Sequence, residues 1–255
     1  MWNPLAALGR RTLSQAAAFA DDALSLGAVF SRTLAATAHT PRGAWRLTRR
    51  TTVMQVYFTG VQGVPVAGFL AALIGYGLGQ LVASSGLFVV VPPLRDLLVT
   101  QVGPLIAALV IVARSSPAVA VELGNMHVGG ELRMLEGFGI DPYRFLALPR
   151  LLGITFGTVA LCFLTTLFAL AALYVGVREI EGVGGSLFWL AIRPEQGLHV
   201  GLLGAAFGIS IALVSLHQGF SLLPFSTEVP KAASRAVVKS LVLCALVDLL
   251  VTVLA

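Results

Sequence analysis

Charged side chains are gathered between Ala113 and Gly153, among them Glu122, Glu131, Arg133, Glu136, Asp141, Arg144 and Arg150. Val119, Val121, Leu123, Met126, Val128, Leu132 and Leu135 are interleaved with them at helical spacing. Charges alternating with apolar residues in this way suit docking, in which the charges set register and the apolar side chains anchor. An amphipathic helix of this kind cannot cross a bilayer; it lies on the surface or against a partner. Residues 113–150 therefore read as a docking element, with a helix over 117–136.

Other chemistry is sparse. No G-x-x-x-x-G-K-[ST] occurs, so the chain has no P-loop of its own for ATP. H-E-x-x-H, paired-cysteine metal spacing and G-x-S-x-G are also missing, which leaves no catalytic residues, metal site or cofactor to assign. His39, His127, His199 and His217 are scattered. His127 reads either as a plain surface histidine or as a pH-sensitive contact. Asp248 is the one acidic residue deep in an apolar run, where such a group is either functional or solvated near an interface.

These residues need a membrane scaffold to position them. Of 255 residues, 57% are hydrophobic and 11% are charged, and the mean hydropathy is +0.89. Soluble domains carry about 25% charged residues, so too little polar surface is available here to cover a water-soluble fold. The expected class is an all-α polytopic membrane protein. Its net charge of +5 bears on topology rather than on nucleic acid. Cys162 and Cys244 lie in apolar runs and read as packing residues. The first residues lack a compact apolar core ending in small residues, so no cleavable signal is expected.

Residues 1–52 form a basic N-terminal part, read as interfacial helices with Trp2 and Trp45 at headgroup level or else as a partly disordered tail. Residues 53–255 form the membrane domain, with five spans expected at about 53–83, 97–112, 146–177, 198–216 and 236–254. Pro65 and the glycines around it predict a kinked or broken first span, and a re-entrant hairpin is an alternative. The second span is interrupted at Gly103-Pro104. Residues 84–93 and 178–196 read as loops. Placing the N-terminus in the cytoplasm puts fourteen Lys and Arg residues inside and only Arg95, Arg178 and Arg193 outside. The C-terminus is then outside and the docking element cytoplasmic. Scarce intramembrane charge argues against an ion-coupled carrier and for energy supplied by an ATPase seated on the 117–136 helix.

The docking element also resembles a known family. Ala113-Arg114, Glu122-Leu123-Gly124, Met126, Glu131, Gly139, Asp141-Pro142 and Pro149-Arg150 are similar in identity and spacing to the MlaE-type (YrbE) permeases. Agreement extends to Gly103-Pro104-Leu105, Ala107-Ala108, Gly219, Arg235, Val237-Val238, Ser240 and Asp248. The chain departs at Thr100-Gln101-Val102 (Arg-Glu-Leu in the family), at Ser115-Ser116-Pro117 and at Gly204-Ala205 (Lys-Ser in the family). The resemblance implies the permease subunit of an ABC transporter in the bacterial inner membrane, moving phospholipid or a related lipid. It implies a homodimer, a separate ABC ATPase carrying ATP and Mg, an MCE-domain protein assembly and a small STAS-type subunit. Glu122, Met126, Glu131, Leu132, Arg133, Leu135 and Asp141 would couple to the ATPase. Phe69, Leu73 and Tyr76 are candidates to line a lipid pocket, though each alone also reads as an ordinary packing or lipid-facing residue. An ATP-independent lipid carrier or scramblase and a non-transporting scaffold are the rival functions.

Overall fold

A computed structural model describes residues 25–29, 31, 33, 44–86, 88–177, 193–222 and 225–254, and everything below concerns those residues. The reading of residues 1–52 therefore lies mostly outside them, as does most of the 178–196 loop. The described chain is helical throughout, with no strand. Its helices are α1 (Ala44–Thr59), α2 (Val64–Ser85), α3 (Val91–Leu97), α4 (Gly103–Val128), α5 (Glu131–Gly137), α6 (Leu148–Val177), α7 (Pro194–Phe220) and α8 (Glu228–Leu254).

Five helical runs are long and apolar enough to cross a membrane: Arg49–Ser85, Val91–Val128, Tyr143–Val177, Pro194–Phe220 and Glu228–Val253. They match the five expected spans, but each is longer. The second run holds 38 residues, about 57 Å at 1.5 Å per residue, against a hydrocarbon core about 30 Å thick. A helix leaving the apolar slab keeps its hydrogen bonds, so hydropathy marks where the slab ends and not where the helix ends.

That extension corrects the docking-helix boundary. Residues 113–128, expected to belong to a docking element outside the second span, continue that span without a break. Ser115, Ser116, Val119, Ala120, Leu123 and Gly124 are buried there against the rest of the bundle. Only α5 stands as a separate helix between the second and third spans.

In the first span the helix tightens to a 3-10 turn over Val61–Gly63 and resumes, with Pro65 in the first turn of α2 where its missing N–H leaves no gap. The helix is interrupted there but keeps its direction, and it does not fold back as a hairpin. Gly60 lies beside Gly157, Gly68 beside Phe168, Gly75 beside Ala169 and Gly79 beside Gly176, so α1–α2 runs parallel to α6 along its length. The approach is close: a Cβ on Gly79 would stand 2.9 Å from Gly176 Cα. At Gly103-Pro104 a π-turn over Leu98–Val102 precedes α4, and Thr165 Oγ1 of α6 donates to Gly103 O at 2.9 Å.

Cross-helix contacts fix the other directions. α4 runs antiparallel to α6, with Gly103 beside Thr166 and Glu122 beside Arg150. α7 is antiparallel to α6, with Gly204 beside Cys162 and Gly208 beside Thr155. α8 is antiparallel to α4, with Gly124 near Val229 and Gln101 bonded to Thr252. Successive spans thus alternate in direction. α6 packs on α1, α2, α4 and α7, while α8 closes over α4 and α7. In the interior, Ser116 Oγ of α4 lies 2.9 Å from Ser215 Oγ of α7 and 3.0 Å from Ser240 Oγ of α8. Three helices are pinned there by hydroxyls that have no water to turn to.

Candidate functional site: the inter-span element and the opposite cleft

Alternation gathers the expected docking residues at one end of the bundle, together with His217, Lys231 and Arg235. We call this the basic end. α4 stops at Gly129, and Gly130 takes a left-handed φ of 76° to turn the chain into α5. Glu131 stands in the first turn of α5, where the helix dipole favours an acid. α5 ends on a Schellman motif: Gly139 N–H donates to Glu136 O and Ile140 N–H to Leu135 O, both at 2.9 Å, with Gly139 at φ 74°. Asp141 Oδ1 then accepts from Tyr143 N–H at 3.0 Å, capping the turn that opens the third span behind Pro142. Sequence reading placed Asp141 among the coupling residues; its carboxylate here holds the backbone of the return.

Glu122 is likewise engaged. Arg150 Nη2 lies 2.7 Å from Glu122 Oε1, joining α4 to α6. Arg150 is 5% exposed, whereas the Glu122 side chain is 61% exposed, so the acid sits at the rim and the base beneath it. Nearby, Arg114 bonds to Gln62 Oε1 and lies over the Phe58 ring at 4.9 Å, tying α4 to the first span.

The apolar side chains sort differently from expectation. Leu132 is buried, and Met126 packs against the core. Leu135 is half-buried, and Glu131 and Arg133 are exposed. The large apolar side chains turned outward are Met134 at 61% exposure, Phe138 at 77% and Ile140 at 42%, with Phe145 close behind in sequence. Helical spacing marks which positions share a face, but over one seven-residue helix it does not say which face is turned in. The glycines flanking Phe138 were the usable signal, because they put it in a turn where burial is hard. Below this tip, His127, Leu132, Arg133, Glu136, Pro142, Tyr143 and Phe220 line a cavity of about 240 Å³. Tyr143 stacks on Phe220 at 4.7 Å there, joining the third and fourth spans.

The opposite end carries a second recess, of about 470 Å³, lined by Thr100, Gln101, Glu195, Gln196, His199 and Thr252. Asp96 pairs with Arg95 at 2.5 Å and accepts from Gln196 Nε2 at 3.0 Å. Asp248 lies one helical turn before Thr252, whose hydroxyl donates to the Asp248 backbone carbonyl at 2.8 Å. Asp248 is half-buried on the fifth span, one turn from the Thr252 that lines this recess. Phe69, Leu73 and Tyr76 share the outward face of α2, exposed at 67%, 57% and 47%. Among the described residues no cluster of His, Cys, Asp or Glu could hold a metal.

Comparisons with known proteins show the family. The family model described as Permease MlaE matches residues 52–254, which takes in all five spans and the inter-span element. The intermembrane phospholipid transport system permease protein MlaE of Haemophilus influenzae is 25% identical over 226 residues, covering 78% of this chain and 80% of its own length. A probable ABC transporter permease protein of Rickettsia conorii is 25% identical over 212 residues, covering 78% and 81%. The chloroplast protein TRIGALACTOSYLDIACYLGLYCEROL 1 of Arabidopsis thaliana is 27% identical over 153 residues, 56% of this chain and 42% of its own length. With the match running from the first span to the end of the fifth, the chain belongs to the MlaE permease family.

Proposed function

We propose that this chain is the membrane subunit of an ABC transporter that moves phospholipid or a related lipid across or out of a bacterial inner membrane. The observation that carries the reading is the inter-span element: an apolar tip of Met134, Phe138 and Ile140, rimmed by Glu131, Arg133 and Glu136, on a turn fixed by its own caps. Such a rigid knob suits a groove in a partner, with apolar anchors supplying affinity and rim charges supplying register. The sequence has no P-loop, and on this reading ATP hydrolysis belongs to that partner. The weight of basic residues supports a cytoplasmic knob, with the N-terminus on the same side and the C-terminus on the far side. The names of the Haemophilus and Rickettsia relatives supply the phospholipid and the ABC assignment.

On this reading two copies of the chain meet in the membrane, two ATPases sit beneath them and an MCE-domain assembly stands above, with a STAS-type subunit as a further partner. The outward face of α2, with Phe69, Leu73 and Tyr76, offers lipid chains or the second copy an apolar wall. Nucleotide-driven closure of the ATPases would shift the knobs, and with them the second and third spans. Purification of the tagged chain from native membranes tests this. An ATPase, an MCE-domain protein and phospholipid are expected to co-purify, and lipid transfer to require ATP. A chain that purifies alone and moves lipid between vesicles without nucleotide would contradict it.

A further inference from the structure

We infer that the Glu122–Arg150 pair is a strut that closes the inter-span element at its base, so that residues 123–149 move as one body with the ends of α4 and α6. Both residues are then positioning residues, acting through the backbone they join and not by touching nucleotide or lipid. This rests on the proposed permease reading.

Three observations support it. First, the pair spans the neck of the element: Glu122 is on the outgoing helix, Arg150 on the returning one, and the chain between them makes the whole excursion. Second, Arg150 is buried and its other terminal nitrogen, Nη1, has no partner, so Glu122 is the anion that balances it among the described residues. A guanidinium held in that way cannot release its carboxylate cheaply. Third, the rest of the excursion is already stiff, because Gly130 and the Schellman turn at Gly139 fix the bends while Asp141 caps the return. Without the strut those rigid parts would be held to the bundle only by apolar packing at Leu123, Met126 and Leu132 and by the Tyr143–Phe220 stack, and part of a displacement at Phe138 would be lost at the neck. With it, movement at the tip reaches the second and third spans together.

Two measurements decide the matter. The chain with its co-purified ATPase is placed in phospholipid vesicles, and lipid transfer is measured against ATP hydrolysed. Separately, amide exchange is followed on the purified chain alone. For Glu122→Gln, transfer per ATP is expected to fall about tenfold, in the range by which single coupling residues act. Amides of residues 123–149 should exchange about tenfold faster while those of α7 and α8 are unchanged. The swap Glu122→Arg with Arg150→Glu should recover both readouts to within about threefold, as a pairwise interaction requires. Arg150→Lys, which keeps the charge, serves where another variant does not accumulate; it should show the same defect more weakly.

Wild-type exchange in Glu122→Gln would overturn the strut, whatever happens to transfer, because Glu122 would then act only as a partner contact. A swap no better than Glu122→Gln would overturn it too. Should the wild-type chain retain no ATPase, the permease reading fails, while the exchange measurement still judges the strut.

Discussion

The two ends of the bundle use their polar residues differently. At the basic end the carboxylates stiffen the excursion between the second and third spans: Glu122 ties α4 to α6 through Arg150, Asp141 caps the return and Glu131 sits at a helix start. At its tip large apolar side chains, led by Phe138 and Met134, face outward inside a rim of Glu131, Arg133 and Glu136. At the opposite end the polar side chains join one another across helices around an open recess, as in Gln196 with Asp96 and Gln101 with Thr252. In a chain this short of charge, one end uses its ions to build a rigid shape that offers hydrocarbon for contact. The other keeps its polar groups facing a cleft. The first suits a protein partner and the second suits water or a headgroup.

The contrast can be broken at its strongest point first. Phe138→Asp removes the most exposed anchor of the tip and puts a charge in its place. A hot-spot loss of about 2–4 kcal/mol is expected, which lowers ATPase retention roughly 30- to 1,000-fold while the chain keeps its melting temperature. Undiminished binding would show that the apolar tip is not the contact. A smaller effect, of another kind, is expected from Glu122→Ala. Removing the partner of a fully buried Arg costs about 3–5 kcal/mol, but Glu122 is mostly exposed, and about 2 kcal/mol of stability is the expected loss. Denaturation in detergent measures it, and a loss below experimental error would mean that solvent already screens the pair. Least affected should be Gln101→Ala at the opposite end. It breaks a 3.3 Å bond between exposed side chains and should cost less than about 1 kcal/mol. A larger loss would mean that the cleft, too, is built by its polar side chains.

The sequence disclosed the membrane class, the number of spans and the segment that matters, because hydropathy and charge act over long windows. It misplaced the boundary at Val128, because a helix that leaves the membrane while packed on two neighbours has the same amphipathic period as a surface helix. Ser116, Leu123 and Gly124 face α7 and α8, and the opposite positions face outward. The kink near Pro65 was legible from local chemistry. The choice between a kinked crossing and a hairpin was not, since it depends on Gly75 and Gly79 meeting Ala169 and Gly176, about a hundred residues away. Glu122 and Arg150 were both visible as charged residues of a motif, but their pairing waits on the antiparallel return of the third span. Leu132 and Met134 differ by two positions and point in opposite directions, and only the docked α5 decides between them.

The most direct test of the account is site-specific cross-linking in native membranes. Cys162 and Cys244 are buried, so a new cysteine at an exposed site is the one a thiol reagent meets. Phe138→Cys and, at the opposite end, Glu195→Cys would each carry a short bifunctional cross-linker. Phe138→Cys is predicted to capture an ATPase subunit, in a manner sensitive to nucleotide, and Glu195→Cys to capture none. Capture of the ATPase from Glu195→Cys and not from Phe138→Cys would reverse the assignment of the two ends and contradict the account.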